Sequence, residues 1–185
     1  GNRHRTDGPL LAALETSLPF TLTAGQRRAV HEVLSDLRDV RPMRRLLQGD
    51  VGCGKTAVAL HAIAAAADGG YQCAFMAPTE LLAEQHYRAL RRDLAPLGIK
   101  TALLTSATST RALQRQIASG EITVVAGTHA LFQDAVKFAR LGLAIIDEQH
   151  RFGVDQRTRL TRKGAMPDVL HMTATPIPRS LALIA

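Results

Sequence analysis

Residues 49–56 read Gly-Asp-Val-Gly-Cys-Gly-Lys-Thr and lie between a short apolar run and a long Ala-rich segment. This stretch matches the pattern G-x-x-x-x-G-K-[ST] at every defined position. Its glycines let the backbone turn N–H groups toward phosphate oxygens, and the helix that follows adds its positive N-terminal end. Lys55 can reach the β- and γ-phosphates, and the Thr56 hydroxyl can bind Mg²⁺. The stretch therefore predicts a nucleotide-binding loop formed by Gly49, Asp50, Val51, Gly52, Cys53, Gly54, Lys55 and Thr56.

Short apolar runs alternate with helical segments on both sides of this loop, which is typical of βαβ units and a parallel sheet. The runs that we predict as strands are 45–48, 72–76, 101–104, 122–125, 143–146 and 169–172. The segments that we predict as helices are 10–18, 23–39, 55–67, 80–94, 109–119, 154–162 and the residues from 179 onward. In such sheets ligands bind beyond the carboxyl ends of the strands, and the predicted loop begins at one of those ends.

A second chemical signal is the apolar run 143–146, which ends in two acids, Asp147 and Glu148. A carboxylate at that strand end can hold the magnesium shell, which is the role we predict for Asp147. Glu148 can polarise an attacking water. For this segment alone an ordinary loop with solvated acids is an equally simple interpretation, but together with residues 49–56 it predicts hydrolysis rather than storage of the nucleotide.

The composition is that of one α/β domain with a full-sized core. The chain has 185 residues, of which 46% are apolar, and no apolar run approaches the roughly 20 residues that span a bilayer. No signal-peptide core follows the polar first residues, and two cysteines cannot form a disulfide framework. These features predict a soluble, cytoplasmic protein, and the apolar end at 181–185 suggests a piece of a longer one. The net charge of +7 suits a polyanionic partner, although much of it can be solvated surface.

Five shorter patterns stand near predicted strand ends or helix starts, and each is weak by itself. They are Asp-Glu-Gln-His at 147–150, Thr-Ala-Thr-Pro at 173–176, Ala-Pro-Thr-Glu at 77–80, Gly-Thr-His at 127–129, and Gln26 with Phe20 upstream. Thr79 is as well explained as a helix N-cap, and Gln26 as the partner of Thr23 in a capping box. His150 is equally explained as a packed histidine. Their joint occurrence in this order is what makes the patterns informative.

In these patterns, and in the longer strings at 77–86, 147–154 and 172–179, residues 20–185 resemble the first RecA-like motor domain of superfamily-two helicases. Within that group they are most similar to the RecG family of branched-DNA translocases. The resemblance implies an α/β fold, a RecA-like three-layer αβα sandwich with a mostly parallel sheet, which binds ATP and Mg²⁺ as a P-loop NTPase. It also implies that ATP hydrolysis drives the remodelling of stalled replication forks and Holliday junctions in recombination and repair, with branched DNA as the partner.

The resemblance also implies roles for individual residues. The catalytic group would be Lys55, Asp147, Glu148 and His150, and the metal ligands would be Thr56 and Asp147. Phe20 and Gln26 would contact the adenine. The residues that face DNA or relay the nucleotide state to it would be Pro78, Thr79, Gly127, Thr128, His129, Gln149, Thr173 and Thr175.

The resemblance further implies a domain organisation. Residues 1–19 would be a linker helix from an upstream wedge domain, and residues 20–185 would be the first motor lobe. A second lobe with its arginine finger would lie outside this chain, so the chain alone is expected to hydrolyse ATP slowly or not at all.

Two alternatives stay open at this point. One is the motor lobe of a transcription-repair coupling factor, although Gln149 favours the RecG family over it. The other is a nucleotide-gated DNA-binding module without turnover. A GTPase is excluded because its guanine-reading Asn-Lys-x-Asp needs an asparagine, and the only one here is Asn2. An ABC-type ATPase is excluded because no Leu-Ser-Gly-Gly-Gln string occurs.

Overall fold

A computed structural model describes residue 4 and residues 6–49, 54–147, 166–174 and 181–184, the last range by its backbone. Its central feature is a sheet whose described strands are β1 (Arg44–Gly49), β2 (Gln72–Met76), β3 (Thr101–Leu104), β4 (Val124–Gly127), β5 (Leu141–Asp147), β6 (Asp168–Thr173) and β7 (Leu181–Ile184). Their spatial order is β3-β4-β2-β5-β6-β1-β7. All neighbouring pairs among β1 to β6 are parallel, whereas β7 runs antiparallel to β1. The predicted α/β fold with a mostly parallel sheet is confirmed.

Helices cover both faces of this sheet. They are α1 (Pro9–Ser17), α2 (Ala24–Arg38), α3 (Lys55–Asp68), α4 (Glu80–Leu94) and α5 (Arg111–Ser119), with short 3-10 turns at Ala95–Leu97 and His129–Phe132. One apolar cluster joins α1, α2, α3 and α4 to one face, and a second joins α5 and the turn after β4 to the other. Every residue of α3 from Ala57 to Ala66 is buried, which explains its Ala-rich sequence: small side chains let the helix pack closely between the sheet and other helices.

The parallel strands define two edges of the sheet, and the chemistry predicted from sequence falls on one of them. We name the edge at which β1 to β6 end the carboxyl edge. The strands reach it at Gly49, Met76, Leu104, Gly127, Asp147 and Thr173. The helices α3 and α4 begin at this edge, directly after the loops that follow β1 and β2.

One predicted element is wrong in type. We expected a helix from Arg179 onward, but Leu181–Ile184 forms β7, which pairs Leu46 with Ile184 and Gly49 with Leu181. A run of four apolar residues does not distinguish a helix from a strand by its periodicity. The free edge of β1 supplies unpaired backbone groups, and this pairing satisfies them. The predicted helix 154–162 lies outside the described residues.

One predicted strand is shifted by two residues. We expected 122–125, whereas β4 spans Val124–Gly127. Ile122 N–H donates to the Gln116 carbonyl at 3.3 Å and so belongs to the turn that closes α5. The shift carries β4 to Gly127, which places the Gly-Thr-His pattern directly at the carboxyl edge.

The segment before α2 packs on this domain at the opposite edge of the sheet. The imidazole of His4 lies 2.7 Å from the Asp168 carboxylate at the start of β6, and both side chains are buried. Asp68, at the end of α3, accepts hydrogen bonds from the N–H groups of Leu10 and Leu11 at 2.9 and 3.0 Å. The predicted linker helix α1 packs on this domain, because its buried Leu11 and Leu14 lie in the same core as α3. An upstream wedge domain stays a prediction.

The start of α2 offers a local test of the fold. Thr23 Oγ1 accepts from Gln26 N–H at 3.1 Å, and Gln26 Oε1 accepts from Thr23 N–H at 2.8 Å, so the predicted capping box is confirmed. Thr23→Ala removes one of these bonds and should lower the free energy of unfolding by about 1 kcal/mol in urea titrations. Thr16→Ala, at an exposed position late in α1, is the matched control and should change it by less than about 0.5 kcal/mol. Equal effects of the two substitutions would contradict the conclusion that the Thr23 side chain stabilises the start of α2.

Candidate active site

The Lys55 ammonium lies between the ends of two neighbouring strands at the carboxyl edge. Its Nζ donates to the Gly49 carbonyl at 2.7 Å and to the Thr173 carbonyl at 3.2 Å. Gly49 ends β1 and Thr173 ends β6, the parallel neighbour of β1. Within the part of the chain that the structure describes, no carboxylate forms an ion pair with Lys55. Its charge is therefore held by neutral acceptors, which an anionic phosphate can replace.

Gly54 shows why the sequence needs a glycine immediately before Lys55. It caps α3 with φ of +86°, in the left-handed region that side chains other than glycine rarely adopt. A Cβ at this position would also fall 1.6 Å from Nε2 of Gln26. That Nε2 donates to the Gly54 carbonyl at 3.4 Å. The start of α2 therefore packs directly against the predicted phosphate loop.

Gln26 and Phe20, the predicted adenine contacts, differ in how accessible they are. Gln26 is 6% exposed, and its side-chain oxygen and nitrogen have the partners just described. Phe20 is 51% exposed and lines a cleft of about 650 Å³ next to α2, together with Arg27 and His61. Arg27 holds the segment between α1 and α2 by donating twice to the Leu22 carbonyl, at 3.2 and 3.0 Å. The ring of Phe20 is thus available for stacking, and adenine recognition by either residue stays a prediction.

Thr56 and Asp147, the predicted magnesium ligands, both carry oxygen atoms. Thr56 is in the first turn of α3 and is partly exposed, and Asp147 is the last residue of β5. In the described parts of the chain, no group of three or more His, Cys, Asp or Glu side chains is placed to bind a metal. Mg²⁺ usually binds through one or two protein groups while phosphates and water complete its octahedron. The hydroxyl of Thr56 and the carboxylate of Asp147 are donors of the kind that fit a nucleotide-bound magnesium ion.

His86 is a site residue to which the sequence analysis assigned no role. Its Nε2 lies 2.6 Å from Oδ2 of Asp147, and its ring packs on Phe75 with centroids 4.7 Å apart. His86 reaches Asp147 because α4 follows β2, and β2 neighbours β5 in the sheet. That adjacency is a long-range property of the fold, so no signal in the sequence pattern could have found the contact.

The described residues that were predicted to face DNA also lie at the carboxyl edge, but several of them have structural roles there. Thr79 is exposed and accepts from Leu82 N–H at 3.2 Å as the N-cap of α4. Gly127 has no room for a Cβ, which would approach the Leu104 carbonyl oxygen to 2.2 Å. Thr128 is buried, whereas His129 is exposed and Pro78 partly so. The exposed positions among them are the better candidates for a DNA contact.

Eight predicted site residues lie outside the described part of the chain. They are Asp50, Val51, Gly52, Cys53, Glu148, Gln149, His150 and Thr175. Thr173 is described, and its carbonyl is the one that accepts from Lys55.

Clear pKa shifts among the described groups occur away from this edge. Burial raises the pKa of the Cys73 thiol near the start of β2, so that thiol packs as a small apolar group. The hydrogen bond that Arg45, near the start of β1, donates to the Asp36 carboxylate raises the pKa of Arg45. The bond that Arg92, in the last turn of α4, donates to Asp93 raises the pKa of Arg92 in the same way. These pairs belong to the opposite edge of the sheet.

A mostly parallel sheet whose carboxyl edge carries the loop lysine, a helix-start threonine and a strand-end aspartate defines a P-loop nucleotide-binding domain. The model of the DEAD/DEAH box helicase family matches residues 23–184, and the chain belongs to that family.

The chain is similar to curated helicases over nearly its whole length. It is 55% identical to the ATP-dependent DNA helicase RecG of Synechocystis over 179 residues, which cover 95% of this chain and 22% of that protein. It is 51% identical to the RecG of Bacillus subtilis over 186 residues, which cover 99% of this chain and 27% of that protein. The chain thus spans about a quarter of the length of these relatives.

Solved structures are similar as well. A structure of RecG bound to a three-way DNA junction superposes with a TM-score of 0.84 at 47% identity, covering 96% of this chain and 24% of that one. The helicase MrfA, bound to DNA and AMPPNP, superposes with a TM-score of 0.69 at 19% identity, which supports the fold alone. No described helix of this chain is long and apolar enough to cross a membrane.

Proposed function

We propose that this chain is the ATP-binding motor lobe of a DNA translocase that remodels branched DNA, as RecG does. The observation that carries the proposal is the position of the Lys55 ammonium, which among the described residues donates to the carbonyls that end β1 and β6. The identity of 50–55% to RecG proteins supports this function over that of a transcription-repair coupling factor.

The residues at the carboxyl edge would have different roles in nucleotide binding. Lys55 would exchange its carbonyl partners for phosphate oxygens, and the N–H groups at the start of α3 would face the same phosphates. Thr56 and Asp147 would hold Mg²⁺, which when bound neutralises charge on the β- and γ-phosphates. Glu148 would polarise the attacking water, and His150 would belong to the same catalytic group.

The contact between Lys55 and Thr173 supports a route from nucleotide to DNA. When Lys55 turns to a phosphate, the Thr173 carbonyl loses an ammonium donor, and this change occurs at the end of β6. Thr173 begins the Thr-Ala-Thr-Pro pattern, so we propose that it relays the nucleotide state together with Gln149 and Thr175. The DNA would lie along the same edge, against Pro78, Thr79, Gly127, Thr128 and His129.

The partners of this lobe would come from the remainder of a longer protein. About three-quarters of the RecG relatives lies outside the matched region, and we propose that a second motor lobe and a wedge domain are found there. A module that binds nucleotide without turnover is the remaining alternative from a different class. Phosphate release that rises on addition of branched DNA, in the longer protein, would distinguish a motor from such a module.

We expect DNA binding by this chain to be weak, independent of sequence and steeply dependent on salt. The net charge is +7, and exposed hydroxyl and imidazole groups at the carboxyl edge suit phosphates rather than base edges. A lobe that covers two to four phosphates should give a slope of about −2 to −4 in log K against log salt. The measurement is fluorescence anisotropy of a labelled fork and a matched linear duplex.

Two charge variants locate the DNA face in that experiment. Arg111 is exposed at the start of α5, on the carboxyl edge, whereas Lys100 is exposed immediately before β3, on the opposite edge. Arg111→Gln should reduce the salt slope by about 1, and Lys100→Gln should leave it unchanged. A strong preference for the fork would contradict the expected binding, because it would place junction recognition in this lobe and not in a wedge domain. An equal effect of the two variants would contradict the proposed DNA face.

A further inference from the structure

The contact between Nε2 of His86 and the Asp147 carboxylate connects α4 to the candidate metal site. The two side chains are 20% and 14% exposed, so the pair is largely shielded from water. A carboxylate oxygen only accepts hydrogen bonds, so Nε2 of His86 is the donor in the 2.6 Å contact with Oδ2. His86 therefore engages Oδ2 of Asp147.

The surroundings of His86 fix the direction in which it donates. Its ring packs on Phe75, which lies in β2, with the ring planes tilted by 41°. In the sheet β2 is the direct neighbour of β5, with Met76 opposite Ile146, so the imidazole lies over the strand pair that ends at Asp147. The geometry is that of an outer residue which orients a metal ligand, an arrangement that commonly sets metal affinity.

The N-terminal end of α4 is exposed at the carboxyl edge. Thr79 caps the helix there, and Glu80 Oε1 accepts from the Ser106 hydroxyl, in the loop after β3, at 2.8 Å. His86 lies about two turns further along the same helix. A single helix thus joins the exposed Thr79–Glu80 start to the carboxylate of Asp147.

We infer that His86 is a positioning residue for the magnesium ligand Asp147. Through this contact the metal site is coupled to the exposed start of α4. This inference rests on the proposed function, because it requires Asp147 to contact the magnesium ion of a bound nucleotide. His86 acts by holding the Asp147 carboxylate in one orientation and does not itself touch metal or nucleotide. A displacement of α4 at its exposed start would move His86 and weaken the metal site.

The test compares two amides that imitate different nitrogens of the imidazole. A glutamine amide nitrogen reaches about as far as Nε2, whereas an asparagine nitrogen stops near the place of Nδ1. With the 185-residue chain and excess ADP, Mn²⁺ binding is followed by electron paramagnetic resonance, and ADP affinity is measured separately in EDTA. We expect His86→Asn to weaken Mn²⁺ binding about tenfold, and His86→Gln to stay within about threefold of wild type.

Controls separate positioning from folding. Gln85→Leu, at the exposed neighbour on α4, should bind Mn²⁺ like wild type. ADP affinity in EDTA should change less than twofold in both His86 variants, and thermal unfolding should confirm that each is folded. Equal Mn²⁺ affinity in His86→Asn and wild type would overturn the inference, as would an equal loss in both amide variants. If wild type itself binds ADP without a metal-dependent gain, the proposed magnesium site fails, and this inference fails with it.

Discussion

This chain, purified alone, should turn over ATP no faster than about 10⁻² per second, even with saturating Mg²⁺ and duplex DNA. Lys55, Thr56 and Asp147 supply an ammonium, a hydroxyl and a carboxylate at the site, but no residue assigned to the site supplies a guanidinium across the γ-phosphate. Such an arginine contributes about 10³–10⁵ to the rate where it has been measured in related chemistry. A typical enzyme rate near 10 per second, reduced by at least 10³, gives the expected ceiling.

The measurement is steady-state release of inorganic phosphate, with Glu148→Gln as the control for a contaminating ATPase. A rate that Glu148→Gln leaves unchanged does not come from this site. Turnover near 1 per second that Glu148→Gln abolishes would show that one lobe suffices, and would contradict the proposal that a second lobe completes the site.

Lys55→Ala should weaken the binding of a fluorescent ATP analogue by roughly tenfold to a hundredfold. The side chain is expected to donate a charge-assisted hydrogen bond to phosphate, and such a bond contributes about 1.5–3 kcal/mol. The substitution removes a flexible side chain at the first position of α3, and alanine is a good helix former, so the fold should be retained. Equilibrium titration in the presence of Mg²⁺ gives the two dissociation constants.

Lys100→Ala is the matched control for that titration. Lys100 is an exposed lysine on the opposite edge of the sheet and pairs with Glu121 at 3.5 Å. Its removal keeps the change in net charge the same while leaving the carboxyl edge intact. Equal affinities of Lys55→Ala and wild type, or equal losses in both variants, would contradict the assignment of the phosphate loop.

Much of the fold was predictable because the strands form short apolar runs bounded by loops. The predicted 72–76 matches β2, which is buried on both faces, and the predicted 101–104 matches β3, in which buried and partly buried residues alternate. The helix predicted over 80–94 also matches α4, whose N-cap Thr79 marks its start. Gly54 precedes α3, and its positive φ is a local requirement that the sequence expresses directly.

The contacts that escaped prediction join residues far apart in the chain. β7 depends on the free edge of β1, about 135 residues earlier, and nothing local to 181–184 encodes that pairing. His4 with Asp168, and His86 with Asp147, are side-chain pairs that form only once the strand order is known. In the candidate site, the sequence therefore pointed to residues in local motifs, such as Lys55 and Asp147, but not to His86, whose contact with Asp147 depends on the strand order.

Nucleotide binding at the carboxyl edge is tested most directly by backbone hydrogen exchange with and without a non-hydrolysable Mg·ATP analogue. Nucleotide bound at the carboxyl edge should slow exchange in peptides covering residues 44–60 and 141–147, where β1, α3 and β5 meet the site. Peptides covering 66–72 and 95–101, at the opposite edge, should exchange at the same rate in both states. Protection at the opposite edge, or no protection across 44–60 at saturating analogue, would contradict the claim that this chain is a nucleotide-binding motor lobe.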